Sequence, residues 1–122
     1  MPFLVGIVIP SLGGASQETL KTEDRIAAIR LVLLAFEEWF GGGTPMNAPP
    51  GGIVRLRDGT VVFDADQTLV VAGTTRKVWR KNLDRVVELA ERVGKMLRQE
   101  SMAVLAFPTS ESMLIFPRQG GQ

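Results

Sequence analysis

The chain has no cysteine, no histidine and no tyrosine among its 122 residues. Without cysteine there are no disulfides, no thiolate nucleophile and no thiolate-held zinc or iron–sulfur cluster. Without histidine the commonest general base and the commonest metal ligand are missing. A metal site would have to be built from carboxylate oxygens, which restricts it to magnesium, calcium or manganese. Serines are present, but nothing of the usual kind activates them, and no Ser-x-x-Lys occurs. The three-glycine run Gly41-Gly42-Gly43 follows a helix pattern rather than a strand and has no Gly-Lys-Ser/Thr after it, so it is not a phosphate loop. No cofactor motif is found. Long apolar runs are lacking too: Phe3–Ile9 falls far short of the roughly 20 residues a membrane helix needs. No basic segment precedes it, so the chain reads as soluble and cytoplasmic, without a membrane partner.

What remains is an ordinary globular composition, 45% hydrophobic and 22% charged. A chain of this size buries roughly two-thirds of its unfolded surface, enough for a core without covalent staples. One domain is expected over residues 1–117, with 118–122 a frayed tail.

The order of patterns along the chain is informative. Phe3–Ile9 is apolar on both faces and β-branched, as in a central strand, with Gly6 marking a close approach by a helix. Ser11–Ser16 is a Gly/Ser loop. Thr22 is the expected N-cap of a helix running to Phe40, with Glu23 and Asp24 in its first turn. Its main stripe is Ile26, Ile29, Leu33, Phe36 and Phe40; Ala28, Val32, Ala35 and Trp39 lie beside it, and Leu31 and Leu34 off it. Thr44–Gly52, with three prolines, reads as an irregular loop and as the lid over any pocket. Asp58-Gly59 between Ile53–Arg57 and Thr60–Phe63 predicts a hairpin. Asp64-Ala65-Asp66 reads as a bulge or turn, and Thr68–Ala72 as a strand that Gly73 ends. Thr74 or Thr75 caps a second helix over Arg76–Arg98 with a core stripe of Trp79, Leu83, Val86, Ala90, Val93 and Leu97. Met102–Phe107 and Ser112–Phe116 complete the pattern. The order β-α-β-β-α-β predicts an α+β, ferredoxin-like sandwich with an extra C-terminal strand. Such a sheet has one face free of helices, which together with the apolar breadth of the first helix predicts a homo-oligomer, a dimer in the simplest case.

Trp39-Phe40-Gly41-Gly42-Gly43-Thr44, Asp58-Gly59, Asp64 and Gln99-Glu100-Ser101 before an apolar strand together form a recognisable set. In these the chain resembles a loosely defined group of small bacterial, plasmid and phage proteins with a Phe-Gly-Gly-x-Thr helix end and a Gln-Glu-Ser approach to a strand. The group has an aromatic residue early in its hairpin, where this chain has Ile53. The resemblance implies a ferredoxin-like α+β domain, and no activity.

Charge is organised in one place. Arg76–Arg98 holds eight Lys/Arg and three Asp/Glu, while the rest of the chain holds six and ten. Arg76, Lys77, Arg80 and Lys81 crowd the helix start, where the dipole disfavours cations. With Thr74 and Thr75 they form a candidate anion site for phosphate or nucleic acid. Further along, Arg80–Asp84, Glu88–Arg92 and Glu91–Lys95 fall at helical pair spacing and fit an ordinary solvated face. A weaker candidate is a metal site of Asp64, Asp66 and Glu100, set against their use as structural polar groups. Three functions follow in order: a non-enzymatic binding or scaffolding module, such as an accessory protein of a mobile element; an anion or nucleic-acid binder; and a carboxylate-based, metal-assisted enzyme.

Overall fold

The protein is described from a computed structural model, which covers residues 2–14, 18–47, 52–55, 57–64 and 66–109. The expected strand Ser112–Phe116 and the tail 118–122 lie outside the described residues. The elements are β1 (Pro2–Ile9), α1 (Thr22–Phe40), β2 (Thr44–Asn47), β3 (Gly52–Arg55), β4 (Val61–Asp64), β5 (Thr68–Thr75), α2 (Arg76–Met96) and β6 (Val104–Pro108).

Four strands form one antiparallel sheet in the order β2-β5-β1-β6, and β3 and β4 form a separate two-stranded ribbon. Each helix connects two strands that are separated in the sheet by a third. This is the ferredoxin-like βαββαβ arrangement, with the ribbon inserted between its second and third strands. β1 is central, paired with β5 from Pro2 to Ile9 and with β6 from Phe3 to Ile7. β6 is an edge of the sheet among the described residues.

Strand period two sorts the residues between two faces. Phe3, Val5, Ile7 and Ile9 of β1, and Val70 and Ala72 of β5, are buried under the helices. α1 contributes Ala28, Val32 and Phe36, and α2 contributes Val86, Leu89, Ala90, Val93 and Leu97. The buried line of α1 shares Phe36 with the predicted main stripe, but Ile26 of that stripe is 48% exposed and Ala28 and Val32, expected beside it, are buried; Leu34, expected off it, is exposed. An apolar helix offers several candidate faces, and the sheet selects the one whose small Ala28 lets the helix approach. In α2 the predicted Leu83 is exposed, while Asn82 is buried and spends its Nδ2 on the Val78 carbonyl at 3.0 Å.

Caps differ in detail as well. The N-cap of α1 is Lys21, which makes no side-chain cap bond, and Thr22 is already helical. Gly41 ends α1 with φ +86°, its N–H reaching the Glu37 carbonyl at 3.0 Å, as a left-handed C-cap should. α2 starts at Thr75, whose hydroxyl accepts from the Val78 N–H at 3.2 Å. It ends with Arg98 at φ +55°, an unusual residue for that conformation. The Gln99 N–H reaches the Gly94 carbonyl at 2.8 Å and the Arg98 N–H the Lys95 carbonyl at 3.3 Å, which is the Schellman pattern.

Two strand boundaries correct the sequence reading. Thr44–Asn47 is an edge strand among the described residues, in which Pro45 is tolerated because one side of the strand needs no donor. β5 continues through Gly73 to Thr75, because Gly73 sits opposite Leu4 in register. Gly6 makes room on the other face from the helices: a Cβ there would lie 3.1 Å from Leu69 Cδ1 and 3.4 Å from Val71 Cγ1.

Candidate functional site

Three places are candidates for a functional site, and the first is the foot of the β3–β4 ribbon. Asp64, the last residue of β4, turns inward and is buried. Its Oδ2 accepts from the backbone N–H of Ser11 at 2.7 Å and of Leu12 at 3.3 Å. Its Oδ1 accepts from the Ser11 hydroxyl and from the Asp66 N–H at 3.2 Å. One carboxylate thus ties the loop after β1 to the ribbon. Around it, Gln99 Nε2 donates to the Leu12 carbonyl at 2.7 Å and the Leu97 carbonyl at 2.8 Å. The Gly14 N–H reaches the Arg98 carbonyl at 3.1 Å; a Cβ on Gly14 would lie 2.9 Å from that oxygen, so no larger residue fits there without a shift. Arg25 donates to the Pro10 carbonyl at 3.1 Å, the Asp66 carbonyl at 2.7 Å and Thr68 Oγ1 at 3.3 Å. Ser11, Arg25 and Gln99 were not among the predicted site residues. The available signal was Arg25 in a first helical turn, where a cation needs a reason to be.

The three carboxylates proposed for a metal are not brought together. Asp64 is occupied by four donors, Asp66 is exposed, and Glu100 Oε2 accepts from the Arg57 N–H at 3.1 Å, in the ribbon's turn. Among the described residues no group of three Asp/Glu is placed to hold a metal ion. In the same turn the Asp58 carboxylate titrates below its ordinary value, because Thr60 bonds it through its side chain and through its N–H, at 2.8 Å.

The second place is the start of α2. The Thr75 hydroxyl is spent on its cap bond. The Arg76 guanidinium lies 5.5 Å from the centroid of the Phe3 ring, which itself stacks on Trp79 at 6.3 Å. Arg76 is thus partly a packing residue. Lys77, Arg80 and Lys81 are exposed, and Thr74 is half-buried in β5 opposite Phe3.

The third place is the sheet face away from the helices. Leu4 and Val8 of β1, Leu69 and Val71 of β5, Met46 of β2, and Leu105 and Phe107 of β6 share it by register. Met46, Leu105 and Phe107 are exposed at 47%, 38% and 37%. At the β2 end this face meets the Gly41–Gly43 turn and forms a groove of about 580 Å³.

No protein-family model matches the chain, and no curated protein matches it. Solved structures do. A phage SAM lyase in complex with S-methyl-5'-thioadenosine is similar with a TM-score of 0.60 at 14% identity, covering 87% of this chain and 80% of that one. The divalent cation tolerance protein CutA1 of Thermus thermophilus has a TM-score of 0.48 at 21% identity, covering 91% and 86%. The periplasmic divalent cation tolerance protein CutA of Archaeoglobus fulgidus has a TM-score of 0.49 at 12% identity, covering 93% and 92%. At these identities the likeness is one of fold.

Proposed function

We propose that the chain is a non-enzymatic binding module that works as a homo-oligomer, a dimer in the simplest case, whose subunits meet through the open face of the four-stranded sheet. The observation that carries this reading is the apolar character of that face, with Leu105 and Phe107 exposed side by side with Leu4 on the β6 side. A sheet face of this kind is normally covered, and a two-fold contact between copies is the commonest cover. An accessory role in a plasmid or phage, in the cytoplasm, belongs to the same proposal. No helix among the described residues is long and apolar enough to cross a membrane. Sedimentation at micromolar concentration is the test: the native chain should run as an oligomer, and Leu105→Glu with Phe107→Glu should run as a folded monomer. A monomeric native chain refutes the reading.

The basic start of α2 supports an anion-binding alternative, since Lys77, Arg80 and Lys81 are exposed together. Arg76→Glu with Arg80→Glu should then abolish a salt-dependent nucleic-acid interaction. If the same change raises the melting point and all binding survives, the cations are only solvated surface. A carboxylate enzyme is the third reading, and the three carboxylates it would use do not converge, Asp64 being taken by four donors. Incubation with S-adenosylmethionine, followed by a search for S-methyl-5'-thioadenosine, tests the reaction named by one structural neighbour.

A further inference from the structure

We infer that the outer edge of β6, with the groove between it and α2, is a docking site for an extended peptide segment of another protein, one with apolar side chains at alternate positions. The inference rests on the binding-module reading, for which it names what is bound, and it does not require assembly.

The hydrogen bonds of β6 set which way its backbone faces. The Thr109 N–H reaches the Pro2 carbonyl and the Val8 N–H the Ala103 carbonyl, each at 3.0 Å. These are hydrogen-bonded pairs of the antiparallel ladder, and Leu105 and Phe107 fall in step with them. Val104 and Ala106 therefore aim N–H and C=O away from β1, and among the described residues no strand lies beyond to receive them. Leu105, Ala106, Phe107 and Pro108 are exposed, on both faces of the sheet. Natural sheets blunt such edges with charge or proline. No charge lies between Val104 and Phe107, and Pro108 closes one end only. An extended backbone is what presents donors and acceptors at the repeat of Val104 and Ala106.

The groove supplies the other half of the site. It encloses about 480 Å³ between α2 and the start of β6. Its inner wall is apolar, with Ala90 and Gly94 buried and Met102 and Val104 half-buried. Gly94 lets Met102 lie close, since a Cβ there would be 2.9 Å from Met102 Cγ. The charged members of the wall, Glu91, Lys95 and Glu100, are exposed. Residues directly opposite in an antiparallel pair share a face, and Val104 and Ala106 face the helices. The two peptide residues that bond them therefore turn their side chains to the groove side, two positions apart. Backbone pairing and groove filling select the same two residues. A second copy's β6 would pair as well, but it offers this side only Val104, Ala106 and Pro108, too small to fill the groove.

The probe is acetyl-Thr-Leu-Thr-Leu-Thr-amide. Its control is the same peptide N-methylated at both leucines, which keeps the side chains and loses two donors. Binding is read from amide chemical shifts and hydrogen exchange of the full chain. In the free chain the Val104 and Ala106 amides should exchange far faster than those of Leu105 and Phe107. The probe should shift and protect them, and bind about tenfold or more tightly than the control. Val87→Glu puts a carboxylate on the groove wall at a position 42% exposed in the native chain, and should weaken the probe about fivefold or more. Equal affinity of probe and control overturns the proposal. So does a Val87→Glu chain that binds as well as the native one, or a probe that shifts only the open sheet face. Protection of Val104 and Ala106 in the free chain overturns it too, because the edge is then already taken, by a second copy or by residues 110–122. A native chain that sediments as a monomer refutes the assembly reading and leaves this one standing.

Discussion

Replacing Asp64 tests whether its buried carboxylate is a fastener or a reagent. Its two oxygens take four donors: Ser11 N–H, Ser11 hydroxyl, Leu12 N–H and Asp66 N–H. In Asp64→Asn the amide oxygen can replace Oδ2 and keep the Ser11 and Leu12 N–H groups. The amide nitrogen then faces the Ser11 hydroxyl, which can turn and accept, and the Asp66 N–H, which cannot. One backbone donor is lost, a cost of about 1–3 kcal/mol, toward the lower end because Asp66 is exposed to water. Asp64→Ala orphans all four donors, two of them on buried Ser11, and should cost on the order of 4 kcal/mol. That is a large share of the roughly 5–15 kcal/mol typical of a domain. Urea unfolding with an unchanged slope measures both. The expected order is native, then Asn, then Ala. Two variants that each lose under about 1 kcal/mol would refute the fastening role, since orphaned buried donors cannot be that cheap.

Two further outcomes follow from the turns. Arg98→Gly should stabilise the chain by roughly 0.5–1 kcal/mol, because the φ of +55° burdens a side chain that glycine lacks, while glycine's unfolded freedom cancels part of the gain. A melting point that is unchanged or lower would contradict this. Thr60→Val should move the Asp58 titration up toward the ordinary carboxylate value, read by carboxyl-carbon NMR, since the side-chain bond is the first cause of its depression. The folded group titrates lower than the unfolded one. Its contribution is therefore complete above the unfolded value and is lost as pH falls through the folded one. An unmoved midpoint would assign the depression to the backbone bond alone.

The fold was legible where local chemistry and tertiary context agree. The β-branched Phe3–Ile9 run is the central strand, Asp58-Gly59 turns the ribbon, and Thr75 caps α2. It was illegible where context decides. Thr44–Asn47 carries Pro45 and has no strand pattern of its own; pairing with β5 makes it a strand. α1 is apolar over so much of its circumference that periodicity does not single out Ala28, Val32 and Phe36. The Asp64 clasp joins residues 53 positions apart, a distance at which no spacing rule operates. Glu100 was read first as a structural polar group and only weakly toward a metal; it bonds the Arg57 N–H, a partner that could not be named because the hairpin's position over the loop follows from neither segment alone.

The first and last described residues meet at one corner of the sheet: Phe3 stands opposite Pro108, and the Thr109 N–H bonds the Pro2 carbonyl at 3.0 Å. β1 and β6 are antiparallel, so a pull on these two ends loads their hydrogen bonds one at a time, from the corner inward, as a zipper opens. Bonds loaded in sequence resist far less than bonds loaded together in shear. A pull applied at Pro2 and Thr109 therefore meets little resistance, even though the central strand is fully buried on the helix side.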